Sequence, residues 1–260
     1  MRPALPLLLL AAFTITPATI APAARAATAT LTQASPPAVY HPAHAIDVAG
    51  ISPGMTPAAV SAILGNSFGP VQVIQENMGL QDQGIDVATQ TYTTRITVTK
   101  GVDDVSVWFG TPTTGNAVVE VTHQTIYGNA ADAPTIDAAR AALTTKYGPA
   151  AFDGPAMGTG EVRLLAWSYK GDKPAPCTAS ACRANLADGL SVADMQSYRQ
   201  AVKQGRELTI IGMLLAGIND PSRVASVVVT VSDTATKLRT LEEALAQMKA
   251  AARPGKPAKR

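Results

Sequence analysis

Residues 56 to 70 read TPAAVSAILGNSFGP, and 79 positions later residues 135 to 149 read TIDAARAALTTKYGP. The pairs Thr56/Thr135, Ala59/Ala138, Ala62/Ala141, Leu64/Leu143, Gly69/Gly148 and Pro70/Pro149 are identical, and Phe68 faces Tyr147. Each copy carries the signs of one helix. A threonine stands where an N-cap is needed, alanine and leucine recur at helical spacing, and Gly-Pro stops the run. A chain that repeats such a helix is expected to repeat what the helix packs on, so the sequence after each copy is the next thing to compare.

Both copies are followed by short runs rich in Val, Ile, Thr and aromatics. After the first come 71–77, 90–100, 104–110 and 116–127; after the second come 161–170, 207–218 and 222–232. Gly, Asp and Asn separate them, as in antiparallel meanders. The second unit differs in an insert, 171–206, with a helix expected from Ser191 to Gly205, and in a terminal helix from about Thr234 to Ala252 whose Leu238, Leu241, Leu245 and Met248 form a stripe expected in the core. The expectation is an α+β protein of two tandem helix-plus-antiparallel-sheet modules with a C-terminal helix, the modules spanning 46–130 and 131–252.

The ends read differently. MRPALPLLLLAAFTI and the A-x-A around Arg25 have the form of a secretory signal peptide, 1–26, with no cysteine near the cleavage point to carry lipid. Residues 27–45 are small, polar and proline-bearing, and are expected to be a flexible lead-in. Residues 253–260 form a basic tail whose contact with a membrane is expected to be peripheral at most. Removal of Arg2 and Arg25 would bring the basic residues from 21 to 19, level with the 19 acidic ones. A balanced, exported chain is poorly suited to nucleic acid.

Cys177 and Cys182 lie close together in a chain expected to be exported, where a local disulfide is the natural state. His41 and His44 fall in the lead-in and lack further ligands, so no metal is expected. Asp82 and Asp86 do not follow a calcium-loop order, and Gly158 and Gly160 read as a turn rather than a phosphate cradle. His123 shares a strand side with Val119 and Val121, which favours a partly buried structural histidine. Neither a catalytic residue nor a cofactor is assigned.

Strand parity supplies the candidate surface. Tyr92, Ile96 and Val98 mark one side of their strand as apolar, as Val105, Val107 and Phe109 do for the next. Arg95, Trp108, Glu120 and Gln124 then fall on the opposite, polar side. A tryptophan beside an arginine there suits partner binding, because those two residue types dominate interface energetics. It equally suits a tryptophan covered by the other module, the insert or a loop. Trp167, Tyr169 and Leu165 alternate on the apolar side of theirs and are expected in the core.

Residues Ile51 to Gly65, ISPGMTPAAVSAILG, resemble the motif of the SmpA/BamE outer-membrane assembly lipoproteins in Gly54, Met55, Thr56, Val60, Leu64 and Gly65. That family's fold, doubled in β-lactamase inhibitor protein, is a helical segment on an antiparallel sheet. The resemblance implies two such modules in tandem. The reading that follows is a non-catalytic periplasmic protein binding an envelope protein or other envelope macromolecule. An inhibitor of a secreted or envelope enzyme, and an uncharacterised periplasmic enzyme, are its alternatives.

Overall fold

The computed structural model describes residues 25–82, 84–156, 162–183 and 189–253. The leader up to residue 24, Gly158, Gly160 and residues 254–260 of the basic tail lie outside them. The two repeated stretches are helices, α1 (Pro57–Ser67) and α2 (Ile136–Tyr147). In each the expected threonine caps the first turn: Thr56 accepts from the Ala59 amide at 3.4 Å and Thr135 from the Ala138 amide at 3.1 Å. Gly69 and Gly148 follow with φ of 109° and 80°, a left-handed backbone that glycine adopts without a Cβ penalty.

The strands are β1 (Arg25–Ala29), β2 (Gln72–Glu76), β3 (Gly79–Asp82), β4 (Ile85–Thr89), β5 (Tyr92–Lys100), β6 (Asp103–Phe109), β7 (Val118–Ile126), β8 (Phe152–Pro155), β9 (Val162–Lys170), β10 (Lys173–Pro174), β11 (Leu208–Ala216) and β12 (Val224–Asp233). The remaining helices are α3 (Ala179–Arg183), α4 (Met195–Lys203) and α5 (Thr234–Ala252). Nine strands form one antiparallel sheet in the order β10-β9-β11-β12-β7-β6-β5-β2, with β8 also pairing with β9; β1, β4 and β3 make a small mixed sheet. The boundary drawn between residues 130 and 131 therefore interrupts no hydrogen-bonded layer, because β7 and β12, on either side of it, pair from Ile126/Ser226 to Glu120/Ser232.

Two cross-strand rows show how the sheet divides inside from outside. Ile96, Val107, Val121, Val231, Ile210 and Trp167 are successive partners across six strands, and all are buried. Against this face pack Val60 and Leu64 of α1 and Ala139 and Tyr147 of α2. Each fully buried aliphatic side chain there contributes about 1.5–3 kcal/mol of transfer free energy. The neighbouring row on the opposite face is Arg95, Trp108, Glu120, Ser232, Thr209 and Ser168. Its middle and far end are covered as well.

The cover on that second face comes from segments that the helical motif does not contain. α5 lies over it and packs its far end, Met248 and Ala252, on Ala29 and Val87 of the small sheet. Met195 and Tyr198 of α4 pack on Leu241 of α5. Cys177 and Cys182 are placed within bridging reach, with Cα atoms 5.8 Å apart, and Cys182 sits on Leu164, Ala166 and Ile211. Of the expected α5 stripe, Leu241 and Met248 are fully buried while Leu238 and Leu245 are only partly so. The deepest positions are instead shared with Thr236, Lys237, Thr240 and Ala244.

Residues 27–45, read from composition as a flexible lead-in, are laid along the body by specific bonds. Ala27–Ala29 pair in parallel with β4, Gln247 exchanges two hydrogen bonds with the Thr32 backbone, and the Tyr40 hydroxyl donates to buried Asp233 at 2.8 Å. Low hydrophobicity hid these contacts because they are polar and far apart in sequence. Among the described residues no helix is long and apolar enough to cross a membrane, which says nothing about a β-barrel.

Candidate binding groove

Arg95 and Trp108 are direct cross-strand partners on β5 and β6, and they line one hollow of about 380 Å³. Its floor and rim include Ile74 and Glu76 from β2, Asn77 and Met78 from the link to the small sheet, Tyr92 from β5, and Gly189, Leu190 and Val192 from the insert. The groove thus opens where the edge of the large sheet meets two connecting segments.

Tyr92 was expected on the apolar side with Ile96, and it is not there. The pairing of β2 with β5 slips between Ile74/Arg95 and Gln75/Thr93, leaving Thr94 as an extra residue. One extra residue exchanges the faces of everything beyond it. Thr93 consequently turns inward and is buried, while Tyr92 joins Arg95 in the groove. Burial and the nearby Glu76 charge push the Tyr92 hydroxyl up to about 12, so it remains a protonated donor at neutral pH. Glu76 in turn accepts from the Thr94 hydroxyl at 2.9 Å.

Glu120, expected on an open polar face, is withdrawn from solvent. Its carboxylate pairs with the Lys237 ammonium of α5, both side chains being at most 1% exposed. The Gly189 amide donates to its other oxygen at 3.5 Å, and the Tyr198 ring lies 5.7 Å from the ammonium. Burial pushes the carboxyl above its ordinary range, against the opposing pull of Lys237. Parity placed Glu120 on the right face, but it could not show that α5 covers that face. Gln124 lies on the same face outside the groove, half-buried, with its amide 3.4 Å from the Ser226 hydroxyl.

Trp108 is half-covered. Gly189, at φ 81°, lies so near that an added Cβ would stand 2.6 Å from the indole Cδ1. The insert therefore packs closely against the ring, and both line the hollow. Arg95 forms no ion pair among the described residues, so its planar fork of donors is free to take a carboxylate or another paired acceptor. A guanidinium, a carboxylate and two aromatic rings in one groove suit a mixed-charge polypeptide better than a uniformly anionic polymer.

The remaining chemical candidates are accounted for by local structure. His123 Nε2 is 2.9 Å from Asp103 Oδ1, the Thr125 hydroxyl donates to the same oxygen at 2.7 Å, and Phe68 meets the imidazole edge-on at 6.0 Å. Among the described residues no hydroxyl or thiol is bonded to the other ring nitrogen. Asp86 accepts from Gln81 across the β3–β4 pair. No group of three or more His, Cys, Asp or Glu is gathered for a metal among the described residues. Trp167 and Tyr169 lie in the core, as their alternation predicts.

The chain matches no protein-family profile, no curated protein and no solved structure.

Proposed function

We propose that this is an exported periplasmic binding protein, without catalytic activity, that holds another envelope macromolecule in the groove of Arg95 and Trp108. The observation that carries the reading is an arginine without an ion pair among the described residues, directly across from a partly buried tryptophan in a hollow bounded by three separate segments. Interface energy is concentrated in such Trp and Arg anchors when surrounding contacts exclude water. An inhibitor of an envelope enzyme would use the same groove. Two similar modules are part of the proposal: α1 leads β2, β5, β6 and β7, α2 leads β8, β9, β11 and β12, and the last strands of the two sets pair. That mirrored order supports a duplicated, SmpA/BamE-like unit.

The test compares capture of envelope proteins by the wild-type chain with capture by Arg95→Ala and Trp108→Ala. Arg95→Ala is the cleaner variant, because removing a partly buried side chain with no ion pair among the described residues costs only about 0.5 kcal/mol. A specific partner lost by both variants, with Arg95→Ala melting as wild type does, is the expected result. A partner retained by both would remove the groove from the reading.

A further inference from the structure

The groove lies beside an open edge of the large sheet. β2 ends the strand order there and pairs on one side alone, with β5. Every residue of it except Ile74 is exposed. Its sequence, QVIQE, lacks the devices that blunt an edge: it has no proline and no lysine, and the extra residue at its slip against β5, Thr94, belongs to β5. The far edge differs. There the outer side of β9 is shared by β8 and β10, strands of four and two residues that both end in proline. A sheet guarded at one end and bare at the other offers the bare end as a template for a further strand.

The Ile74 carbonyl is turned toward β5, where the Thr94 hydroxyl donates to it at 3.4 Å. Backbone groups alternate in direction along a strand, so the N–H and C=O of Val73 and Gln75 face outward. Among the described residues no third segment bonds to them. Aliphatic side chains stand at this edge on both faces: Val73, 47% exposed, pairs with Ile96 on the helix-covered face, while Ile74 lines the groove. An added strand would cover both. Its residue opposite Ile74 would extend the row Trp108–Arg95–Ile74, two strand spacings or roughly 9–10 Å from the Arg95 backbone. An arginine and a glutamate side chain together span that gap, and Arg95 has no ion pair among the described residues. Two residues along β2 on the same face, Glu76 repels a second acid.

Resting on the reading of the groove above, we propose that its partner is an extended polypeptide segment, added as a strand antiparallel to β2, with a single aspartate or glutamate facing Ile74 and paired to Arg95. Backbone bonds to Val73 and Gln75 hold the segment, and the acid sets its register. A second copy of this chain fits the edge poorly. It could place its own Glu76 opposite Ile74 only by overlapping three residues of β2, Ile74 to Glu76. The acid is therefore assigned to a different polypeptide.

The probe is a displayed library of random heptapeptides selected on the purified chain, the recovered sequence then being made as a free peptide. That sequence is expected to alternate β-branched or aromatic residues with polar ones and to hold one Asp or Glu. Its affinity should fall at least about tenfold in Arg95→Ala, and as far in Val73→Pro, which removes an outward N–H without changing a groove side chain. Amide exchange on the unaltered chain gives an answer that does not depend on how the variants fold. The Val73 and Gln75 amides should exchange freely without the peptide and at least about tenfold more slowly with it. Recovery of no sequence, a sequence without an acid, affinity unchanged in Val73→Pro, or exchange unchanged at both amides overturns the inference. So does a dimer of the chain in sedimentation that Val73→Pro abolishes, which would give the edge to a second copy. An envelope partner captured by Val73→Pro but not by Arg95→Ala would remove strand addition and leave the groove standing, whereas one captured by Arg95→Ala and Trp108→Ala alike would remove the groove itself.

Discussion

Lys237→Met keeps most of the aliphatic stem and removes the ammonium that faces Glu120 and the Tyr198 ring. Two routes are open to the stranded carboxyl, and both cost stability: it stays ionised without its partner, or it takes up a proton. Removing one member of a buried pair costs about 3–5 kcal/mol. At roughly 2–4 °C per kcal/mol for a chain of this size, the melting temperature should fall by about 6–20 °C. The pH dependence supplies the sharper test. Glu120 is already raised in the folded state, and without Lys237 it rises further because the opposing pull is gone. The folded variant then holds a proton that the unfolded chain, with an ordinary glutamate near 4.3, has released. Stability contributed by that proton is complete below about 4.3 and is lost as pH rises through the higher folded value. The deficit of Lys237→Met relative to wild type should therefore shrink in acid and widen toward neutrality, measured by urea unfolding across that range. Glu120→Leu combined with Lys237→Met should recover most of the loss, since replacing both charges by apolar groups is often neutral. A deficit under about 1 kcal/mol, or one that grows on acidification, would refute the buried-pair argument.

Three further perturbations test the packing. Tyr40→Phe removes the hydroxyl that donates to fully buried Asp233 and should cost about 1.5–3 kcal/mol in urea unfolding, whereas a detached lead-in would show no change. Thr240→Val keeps the shape but strips an oxygen that accepts from the Thr111 amide at 2.8 Å and meets the hydroxyls of Thr111 and Thr114; a loss of about 1–3 kcal/mol is expected, read from the denaturation midpoint. Reducing Cys177–Cys182, or changing both residues to serine, should remove about 2 kcal/mol for so short a loop, read from the urea denaturation midpoint.

What could be read from the sequence was set by how local its cause is. Thr56 and Thr135 cap helices whose ends are written within fifteen residues, and both helices form where the pattern places them. The strands β5, β6, β7, β9, β11 and β12 likewise follow their runs of Val, Ile and Thr to within a few residues. β3 and β4 were missed because GLQD and IDVAT are short and carry acids, and they are held by pairing with each other and by apolar contact with α5. Arg95 and Trp108 were legible as neighbours, since parity alone puts them on one face. Tyr92 was not, because nothing in TYTTRITVT announces the extra residue at Thr94. Glu120 failed for a different reason: its partner lies 117 residues away, on a helix whose lysine looks solvated by every local criterion.

The same contrast explains where the groove comes from. The repeated helices α1 and α2 cover the apolar face of the sheet, and a sheet covered on one side only would leave Glu120, Ser232 and Thr209 in water. α5 and the insert cover them, and that cover makes burial of a charge pair necessary. It also ends before the sheet does. Next to Trp108 the insert at Gly189–Val192 and the link at Asn77–Met78 both border the hollow, and Arg95 lines it without an ion partner among the described residues. A helix running one more turn over β5 would bury Arg95 as Lys237 is buried, and would demand an acid to meet it. The groove is thus the unfilled margin of a second layer. If that is right, closing the margin from the insert side should abolish it: Gly189→Ala, strained at φ 81° and driven against the indole, should move Trp108 and weaken partner capture even though neither Arg95 nor Trp108 is changed. A variant with wild-type capture would place the contact surface elsewhere on the fold.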